Sequence, residues 1–177
     1  MRFALCLVVS YAALIGGPCT QSILPFRSPS ATAMMLSESS LSALQVEMRK
    51  ALKEGKVSAD IVECVGQLPA SSFAGTFQEL LREILDPEEL RVADAFWSST
   101  AGKKYARHGQ LRFYTQLGVS LPEAIPQFSE RELREVETYG GTSAGEKLMF
   151  EKALENPFAV RTILARRVAL LATCDAK

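Results

Sequence analysis

Apolar residues recur at spacings of three and four along most of the chain, which is the period of an amphipathic α-helix. The clearest early example runs through Leu41, Leu44, Met48 and Leu52, and Gly55 is expected to end that helix. No segment has the sustained alternation of apolar and polar residues that a half-buried strand requires. The pattern therefore predicts an all-α fold, a single domain of about seven helices.

Caps and breakers place the helices that flank the middle of the chain. Ser58 is expected to cap a second helix, and a third is predicted from about Pro69 to Ile84. Asn156 and Pro157 begin the last helix. One side of that helix is apolar, as in a helix that packs on a core, and consists of Val160, Ile163, Leu164, Val168 and Leu171.

Residues 85–105 and 128–148 repeat one pattern at an offset of 43 without a gap. Self-similarity of this kind defines the structural unit, which we predict to be a helical hairpin that occurs twice. The aromatic character of Phe96 is kept at Tyr139. The identical positions are Glu89/Glu132, Leu90/Leu133, Arg91/Arg134, Ala101/Ala144, Gly102/Gly145 and Lys104/Lys147.

Each copy begins with the signature of a capped helix. Asp86 and Ser129 are the expected caps, and the glutamate three residues later, Glu89 or Glu132, can reach back to the amide of the cap residue. The apolar stripes that we expect to be buried are Leu90, Ala93 and Trp97 with Phe96 in the first copy, and Leu133, Val136 and Tyr139 in the second.

A break follows the first helix of each copy. It falls at Ser98-Ser99 in the first copy and at Gly140-Gly141 in the second, and a new helix begins before Gly102 or Gly145. A residue without a side chain lets two backbones approach closely. We expect both glycines to serve that contact rather than to bind a ligand.

The first 22 residues have the character of a secretory signal peptide. Arg2 precedes an apolar stretch at 3–15, and small residues follow it. Thirteen residues are too few to cross a bilayer, which takes roughly 20. Cleavage after Cys19, after Ser22 or at 31–33 stays open, as does lipid attachment at Cys19. We expect a flexible linker at 23–36, the helical domain at 37–177, and a periplasmic or secreted protein without a transmembrane segment.

Two cysteines remain outside the predicted signal peptide, Cys64 and Cys174. A single pair in an oxidising compartment is most simply a disulfide, and two separate buried thiols are the alternative. Closing a loop of 110 positions is worth about 4 to 5 kcal/mol in chain-entropy estimates before strain is subtracted.

Charge and residue types exclude several classes of function. The formal net charge is zero, and we interpret the local basic run at 103–112 as a solvated helix face, so we expect no nucleic-acid partner. One histidine and two paired cysteines cannot supply a nitrogen and sulfur metal site. No glycine-rich phosphate loop follows a strand, and we expect no cofactor.

One segment imitates a catalytic motif. Residues 141–145 satisfy G-x-S-x-G with Ser143 at the centre, but a helix precedes them where a nucleophile elbow needs a strand. The serine also needs a base, and His108, one helical turn from Lys104, is the only imidazole. We expect no catalytic residues, and a serine hydrolase that uses Ser143 is the least favoured function.

The repeated unit resembles a motif of the bacterial domain of unknown function 2059 family, F-T-x-x-E-L … F-Y-x-S-P-x-G-x-K behind an export signal. The likeness covers about 80–154 in two tandem copies. Thr100 and Ser143, or their neighbours, stand where the family has proline, and Gly140 stands where it has the second aromatic residue. The resemblance implies an all-helical exported protein without an established activity. The matching residues are Glu89, Leu90, Phe96, Trp97, Ser98, Ala101, Gly102 and Lys104, then Phe128, Ser129, Glu132, Leu133, Tyr139, Ser143, Gly145 and Lys147.

We therefore expect an exported, non-enzymatic helical protein that binds a protein partner, as an envelope accessory factor or an immunity-type inhibitor. The alternative is a carrier of lipid or another hydrophobic ligand. Its cavity would lie between the hairpins and be lined by Phe73, Phe77, Phe113 and Phe158.

Overall fold

The protein is all-α in the computed structural model, which describes residues 28–176. These residues form a single domain of eight α-helices and no strand, as the spacing of apolar residues predicts. The predicted signal peptide and residues 23–27 of the predicted linker lie outside the described residues. The helices are α1 (Ala31–Lys53), α2 (Ala59–Gly66), α3 (Ala74–Ile84), α4 (Pro87–Ser98), α5 (Thr100–Gln116), α6 (Glu130–Gly140), α7 (Ser143–Gly145) and α8 (Pro157–Asp175).

The first helix begins six residues earlier than the sequence pattern indicates. Ser30 caps α1 by accepting from Ala33 N. Thr32 is fully buried and donates from N and Oγ1 to Asp94 Oδ1 on α4, at 2.8 and 2.6 Å. The prediction of a linker at 23–36 is therefore wrong for residues 31–36, because long-range polar contacts fix a turn that apolar periodicity does not reveal.

The core lies where α1, α3 and α4 meet. Phe73, at the end of a 3-10 turn (Ala70–Phe73), and Phe77 on α3 are almost fully buried, as are Leu44 and Leu81. The buried Ser37 hydroxyl donates to Ala70 O at 2.6 Å and accepts from Phe73 N at 2.9 Å. That hydroxyl satisfies the backbone of the 3-10 turn, so burying it costs little.

Both repeats begin with the predicted capping boxes. Asp86 caps α4 with Glu89, and Ser129 caps α6 with Glu132. In each copy the second helix folds back onto the last turn of the first. A Cβ at Gly102 would lie 2.1 Å from Phe96 O, and one at Gly145 would lie 1.9 Å from Tyr139 O. Only glycine fits both positions without a shift of the backbone.

The two copies differ in how far the second helix extends. In the first copy α5 continues to Gln116, whereas α7 ends at Gly145 and passes into a π-helical turn (Glu146–Phe150). Pro157, the first residue of α8, has no backbone donor and disfavours helix in the residue before it. The second copy therefore has less room for a long helix before α8 begins.

The prediction that Leu133 is buried is wrong. In the structure 47% of its surface is exposed. Its counterpart Leu90 is partly buried against the core on α4, which α1 covers. Among the described helices, α6 packs chiefly on α5 and α7. The same position in the repeat therefore has unlike surroundings in the two copies.

The last helix is joined to α2 by a disulfide bond between Cys64 and Cys174, whose Cα atoms are 5.6 Å apart. Ala159, Leu170 and Cys174 are the buried residues of α8. The apolar side predicted for this helix faces largely outward instead, since Leu164 is 50% and Val168 65% exposed. Helical periodicity identifies two apolar faces here and does not indicate which one meets the core.

Candidate functional site

The repeat residues form two reciprocal clusters at the contact between the copies. Lys147 of the second copy donates to both oxygens of Glu89 in the first, at 2.6 and 2.7 Å. Lys104 of the first copy pairs with Glu132 of the second at 2.5 Å. Each copy thus gives its glutamate to the other copy's lysine, which is the arrangement of a self-complementary, two-fold contact.

The correspondence extends to the backbone. Lys147 Nζ also donates to Ile84 O at 3.3 Å, and Lys104 Nζ donates to Gln127 O at 3.1 Å. The two carbonyls are themselves 43 positions apart. Each lysine therefore contacts the loop that leads into the partner helix as well as the glutamate in its first turn, and the two copies are related by a pseudo-two-fold axis.

Each glutamate takes part in two interactions, the cap of its own helix and the contact with the other copy. Glu89 Oε2 accepts from Asp86 N at 2.9 Å as part of its capping box, and Ser143 Oγ donates to Glu89 Oε1 at 2.5 Å. Glu132 Oε2 accepts from both N and Oγ of Ser129, at 2.8 and 2.9 Å. The carboxylates are 13% and 14% exposed. One side chain therefore stabilises both a helix start and the contact between copies.

These donors hold both carboxylates ionised. The hydrogen bond from Lys147, followed by those from Ser143 and the backbone of Asp86, lowers the pKa of Glu89 to about 2. The hydrogen bond from Lys104, followed by the backbone and hydroxyl of Ser129, lowers the pKa of Glu132 to about 2. Donors that favour the charged form stabilise it against protonation. At neutral pH neither group is a useful base.

Aromatic rings from equivalent positions meet between the clusters. The rings of Phe96 and Tyr139 are stacked, with centroids 4.0 Å apart and planes 7° apart. The Trp97 ring meets the Tyr139 ring edge-on at 5.8 Å. Burial raises the pKa of Tyr139 to about 12. Trp97 Nε1 and Tyr139 Oη are both buried without a hydrogen-bond partner among the described residues.

A groove of about 490 Å³ lies beside the stacked rings, between α4 and α6. Val92, Phe96 and Tyr139 contribute apolar surface, while Arg131 and Arg134 stand at its edge. Three pairs of its lining residues are equivalent in the two copies, so the groove follows the pseudo-two-fold axis. These pairs are Val92/Glu135, Phe96/Tyr139 and Ser99/Thr142.

The structure places Ser143 at the start of α7, under the Thr142 cap, where it is exposed. Its hydroxyl donates to Glu89 rather than to an imidazole. The His108 ring instead packs edge-on against the Phe128 ring at 5.8 Å. Because Glu89 is held ionised, its affinity for the serine proton is low, and this pair does not make an activated nucleophile.

The four phenylalanines proposed to line a ligand cavity do not come together. Phe73 and Phe77 are buried in the core, whereas Phe158 is 59% exposed. Phe113 lines a separate groove of about 230 Å³ between α1 and α5. An adjoining groove of about 330 Å³ shares Ala106 and Gln110 with it. The walls of these two grooves come mainly from α1 and α5, and Trp97 and Ser98 of α4 also line the larger one.

The basic run at 103–112 is partly neutralised in the fold. Lys104 pairs with Glu132, and Arg107 pairs with Glu123 at 2.6 Å. Across residues 28–176, no group of three or more metal-ligating side chains comes together. None of the described helices combines the length and the apolar character needed to cross a membrane.

The chain matches no protein-family model, and no curated protein or solved structure is significantly similar to it. The resemblance to the bacterial domain of unknown function 2059 family therefore stays a prediction. The function has to be argued from the geometry of the chain itself.

Sequence reasoning did not predict the pairing between the copies. The capping boxes account for Glu89 and Glu132, but they leave the identity of Lys104 and Lys147 unexplained. The signal that could have predicted it is the recurrence of one glutamate and one lysine in both copies, Glu89 with Lys104 and Glu132 with Lys147. A two-fold arrangement pairs two such residues reciprocally.

Proposed function

We propose that this protein is an exported, non-catalytic helical protein that binds a protein partner through the groove between α4 and α6. The observation that supports this proposal is the arrangement of the repeat residues around the groove. The charged residues of the repeat hold the two copies together, and an open groove lies along their axis, with the partly buried Val92 and the largely buried Phe96 and Tyr139 as its apolar floor. Small-molecule sites are enclosed pockets, so an open groove with an apolar floor suits a protein partner better than a small ligand.

The chemistry of the groove favours a particular kind of partner. Its edge carries both signs of charge, since Arg131 pairs with Glu135 at 3.0 Å and Arg134 lies 3.8 Å from Glu130. A strongly acidic or basic ligand gains little from such an edge. A helix or loop that inserts an apolar or aromatic side chain against the stacked rings fits best, because interfaces are dominated by such anchors. An envelope accessory factor and an immunity-type inhibitor would both use this mode.

The polar chemistry near the groove supports binding rather than turnover. Ser143 is the nucleophile that the G-x-S-x-G motif suggests, and its hydrogen-bond partner is a carboxylate whose pKa is lowered to about 2. A direct assay is Ser143→Ala against a broad panel of esters. We expect wild-type and variant to be indistinguishable. An esterase activity that this substitution abolishes would contradict the non-catalytic proposal.

Site-specific photocrosslinking in the producing cells tests the binding proposal. A photoreactive residue at the exposed Thr138, in the groove, should give a discrete adduct with another protein. The same residue at the exposed Gln116, at the end of α5, should not. Val92→Glu should abolish the Thr138 adduct, since a carboxylate would stand on the apolar floor. Equal adducts from both positions, or none from Thr138, would contradict the proposal.

A hydrophobic-ligand carrier is the second candidate function. The adjoining grooves between α1 and α5 favour it, because Met34, Met35 and Phe113 give them apolar walls. Native mass spectrometry of the protein purified from its producing cells distinguishes the two. A retained ligand of fixed mass that Ala106→Trp displaces supports a carrier, and a bare chain excludes one.

A further inference from the structure

The exposed side of α8 carries a seven-residue repeat, of which only Leu171 is partly buried against the core of its own chain. Leucine-alanine pairs occur at 164–165 and 171–172, and Val168 lies midway between them. Apolar residues at this spacing form a continuous seam along one side of a helix, as in coiled coils. Leu164 and Val168 are 50% and 65% exposed, and Ala165 and Ala172 are exposed as well. Among residues 28–176, nothing covers the centre of this seam.

We propose that this seam binds the same seam of a second copy of the chain, with the two α8 helices antiparallel and Val168 on the two-fold axis. An antiparallel pair centred on residue 168 places each residue opposite the one equally far on the other side. Leu164 then faces Ala172 of the second copy, and Leu171 faces Ala165. Each large side chain meets a small one, which lets helices pack closely without overpacking.

The antiparallel register also brings residues of opposite charge together at the two ends of the seam. Arg161 and Asp175 each lie seven residues from Val168, on the same side of the helix. Both are exposed, and neither belongs to an ion pair within the described part of the chain. In the antiparallel pair, Arg161 of each copy meets Asp175 of the other. A parallel pair would place arginine beside arginine, which is unfavourable.

The size of the seam sets the strength of association. Between Arg161 and Asp175 the helix advances about 21 Å, at about 1.5 Å per residue. A contact of two heptads buries less than the roughly 800 Å² per partner of standard interfaces. We therefore expect a reversible dimer whose population depends on protein concentration rather than a permanent one.

Sedimentation velocity of the purified chain over a roughly hundredfold range of concentration tests the proposal. We expect a monomer–dimer equilibrium that Leu164→Lys weakens about tenfold or more. Leu133→Lys is the matched control, because Leu133 is 47% exposed on α6. That control should leave the equilibrium unchanged. A monomer at all concentrations, or equal effects of the two substitutions, would overturn the proposal.

A charge exchange tests the antiparallel register and does not depend on the stability of the Leu164 variant. Arg161→Asp and Asp175→Arg should each weaken self-association, since each places like charges at both ends of the seam. A one-to-one mixture of the two variants should associate as the wild type does, because every arginine then faces an aspartate. Two variants that each associate normally, or a mixture that does not recover, would contradict this geometry.

The dimer seam and the groove of the proposed function lie on different helices. Leu164→Lys should leave the Thr138 photoadduct in place, and Val92→Glu should leave the dimer in place. Failure of one set of experiments therefore leaves the other interpretable.

Discussion

Phe96 and Tyr139, equivalent residues of the two repeats, stack on one another with ring planes 7° apart and centroids 4.0 Å apart. A contact between a residue and its own counterpart lies close to the axis that relates two copies. The crossed pairs Glu89–Lys147 and Glu132–Lys104 flank it. A duplicated hairpin thus makes within one chain the contact that a symmetric dimer makes between two.

The buried position of Tyr139 in the ring stack predicts how substitutions there change the free energy of unfolding. Its hydroxyl is buried without a hydrogen-bond partner among the described residues, and such a group costs about 1 to 3 kcal/mol. We expect Tyr139→Phe to be as stable as the wild type or up to about 1 kcal/mol more stable in urea unfolding. Tyr139→Ala should lose about 3 to 5 kcal/mol through the cavity it leaves. A large loss in the phenylalanine variant would mean that the hydroxyl has a partner.

The two fold-back glycines should not tolerate a methyl group. Gly102→Ala and Gly145→Ala each place a Cβ near 2 Å from a carbonyl oxygen, at 2.1 and 1.9 Å before any shift. We expect each to lower the free energy of unfolding by about 1 to 3 kcal/mol, as overpacking does.

Gly109→Ala is the matched control for these substitutions. Gly109 lies within α5, and a Cβ there would meet nothing within 4 Å. Alanine should stabilise the helix by roughly 0.5 to 1 kcal/mol. If all three substitutions have the same effect in urea unfolding, the close approach of the backbones is not what requires glycine.

Acidic pH should lower the free energy of unfolding, because Glu89 and Glu132 become protonated. Each has a folded pKa of about 2 against an ordinary value of 4.5, so the folded state binds protons less readily than the unfolded state. Their stabilisation is fully present above pH 4.5 and is lost as the pH falls toward 2. Glu89→Gln/Glu132→Gln should therefore flatten the decline of unfolding free energy in this window. If the unfolding free energy of the double variant falls as steeply with pH as that of the wild type, other carboxylates are responsible for the acid sensitivity.

The disulfide should account for a large share of the stability. Replacing Cys64 and Cys174 together with alanine removes the cross-link over 110 positions, and we expect a loss of about 2 to 4 kcal/mol. Alkylation followed by intact-mass measurement checks the bond itself. Neither cysteine should be labelled before reduction even when the protein is unfolded, and labelling of both under that condition would contradict the bond.

Local patterns predict much of the fold. The capping boxes at Asp86 and Ser129 form as predicted, because they depend on residues within one helical turn. The early start of α1 has a local cap at Ser30, and its buried first turn is held by Thr32 meeting Asp94, 62 positions away. No local pattern specifies such a contact.

The face that a helix buries is harder to predict than the helix itself. Leu133 and Leu90 are identical repeat positions, yet only Leu90 lies against the core, because α1 covers α4. On α8 the side that carries Ala159, Leu170 and Cys174 is buried, and Leu164 and Val168 stay outside. Periodicity measures how apolar residues cluster on a helix and carries no information about neighbouring helices.

The repeat indicates that Glu89 and Glu132, and Lys104 and Lys147, are equivalent positions, but it indicates neither how they pair nor that a groove lies beside them. Glu89 and Lys147 are separated by 58 positions, and their contact exists only because two hairpins pack about an axis. A repeat indicates that two units exist, whereas their relative orientation depends on surfaces that a single sequence does not display.

A double-mutant cycle on the crossed pairs is the most direct test of the paired-repeat arrangement. Glu89→Gln should be energetically coupled to Lys147→Met in urea unfolding, and Glu132→Gln to Lys104→Met. The combinations within one copy, Glu89→Gln with Lys104→Met and Glu132→Gln with Lys147→Met, should be additive within error. Coupling within copies and additivity between them would contradict the reciprocal contact on which this account of the fold and its groove depends.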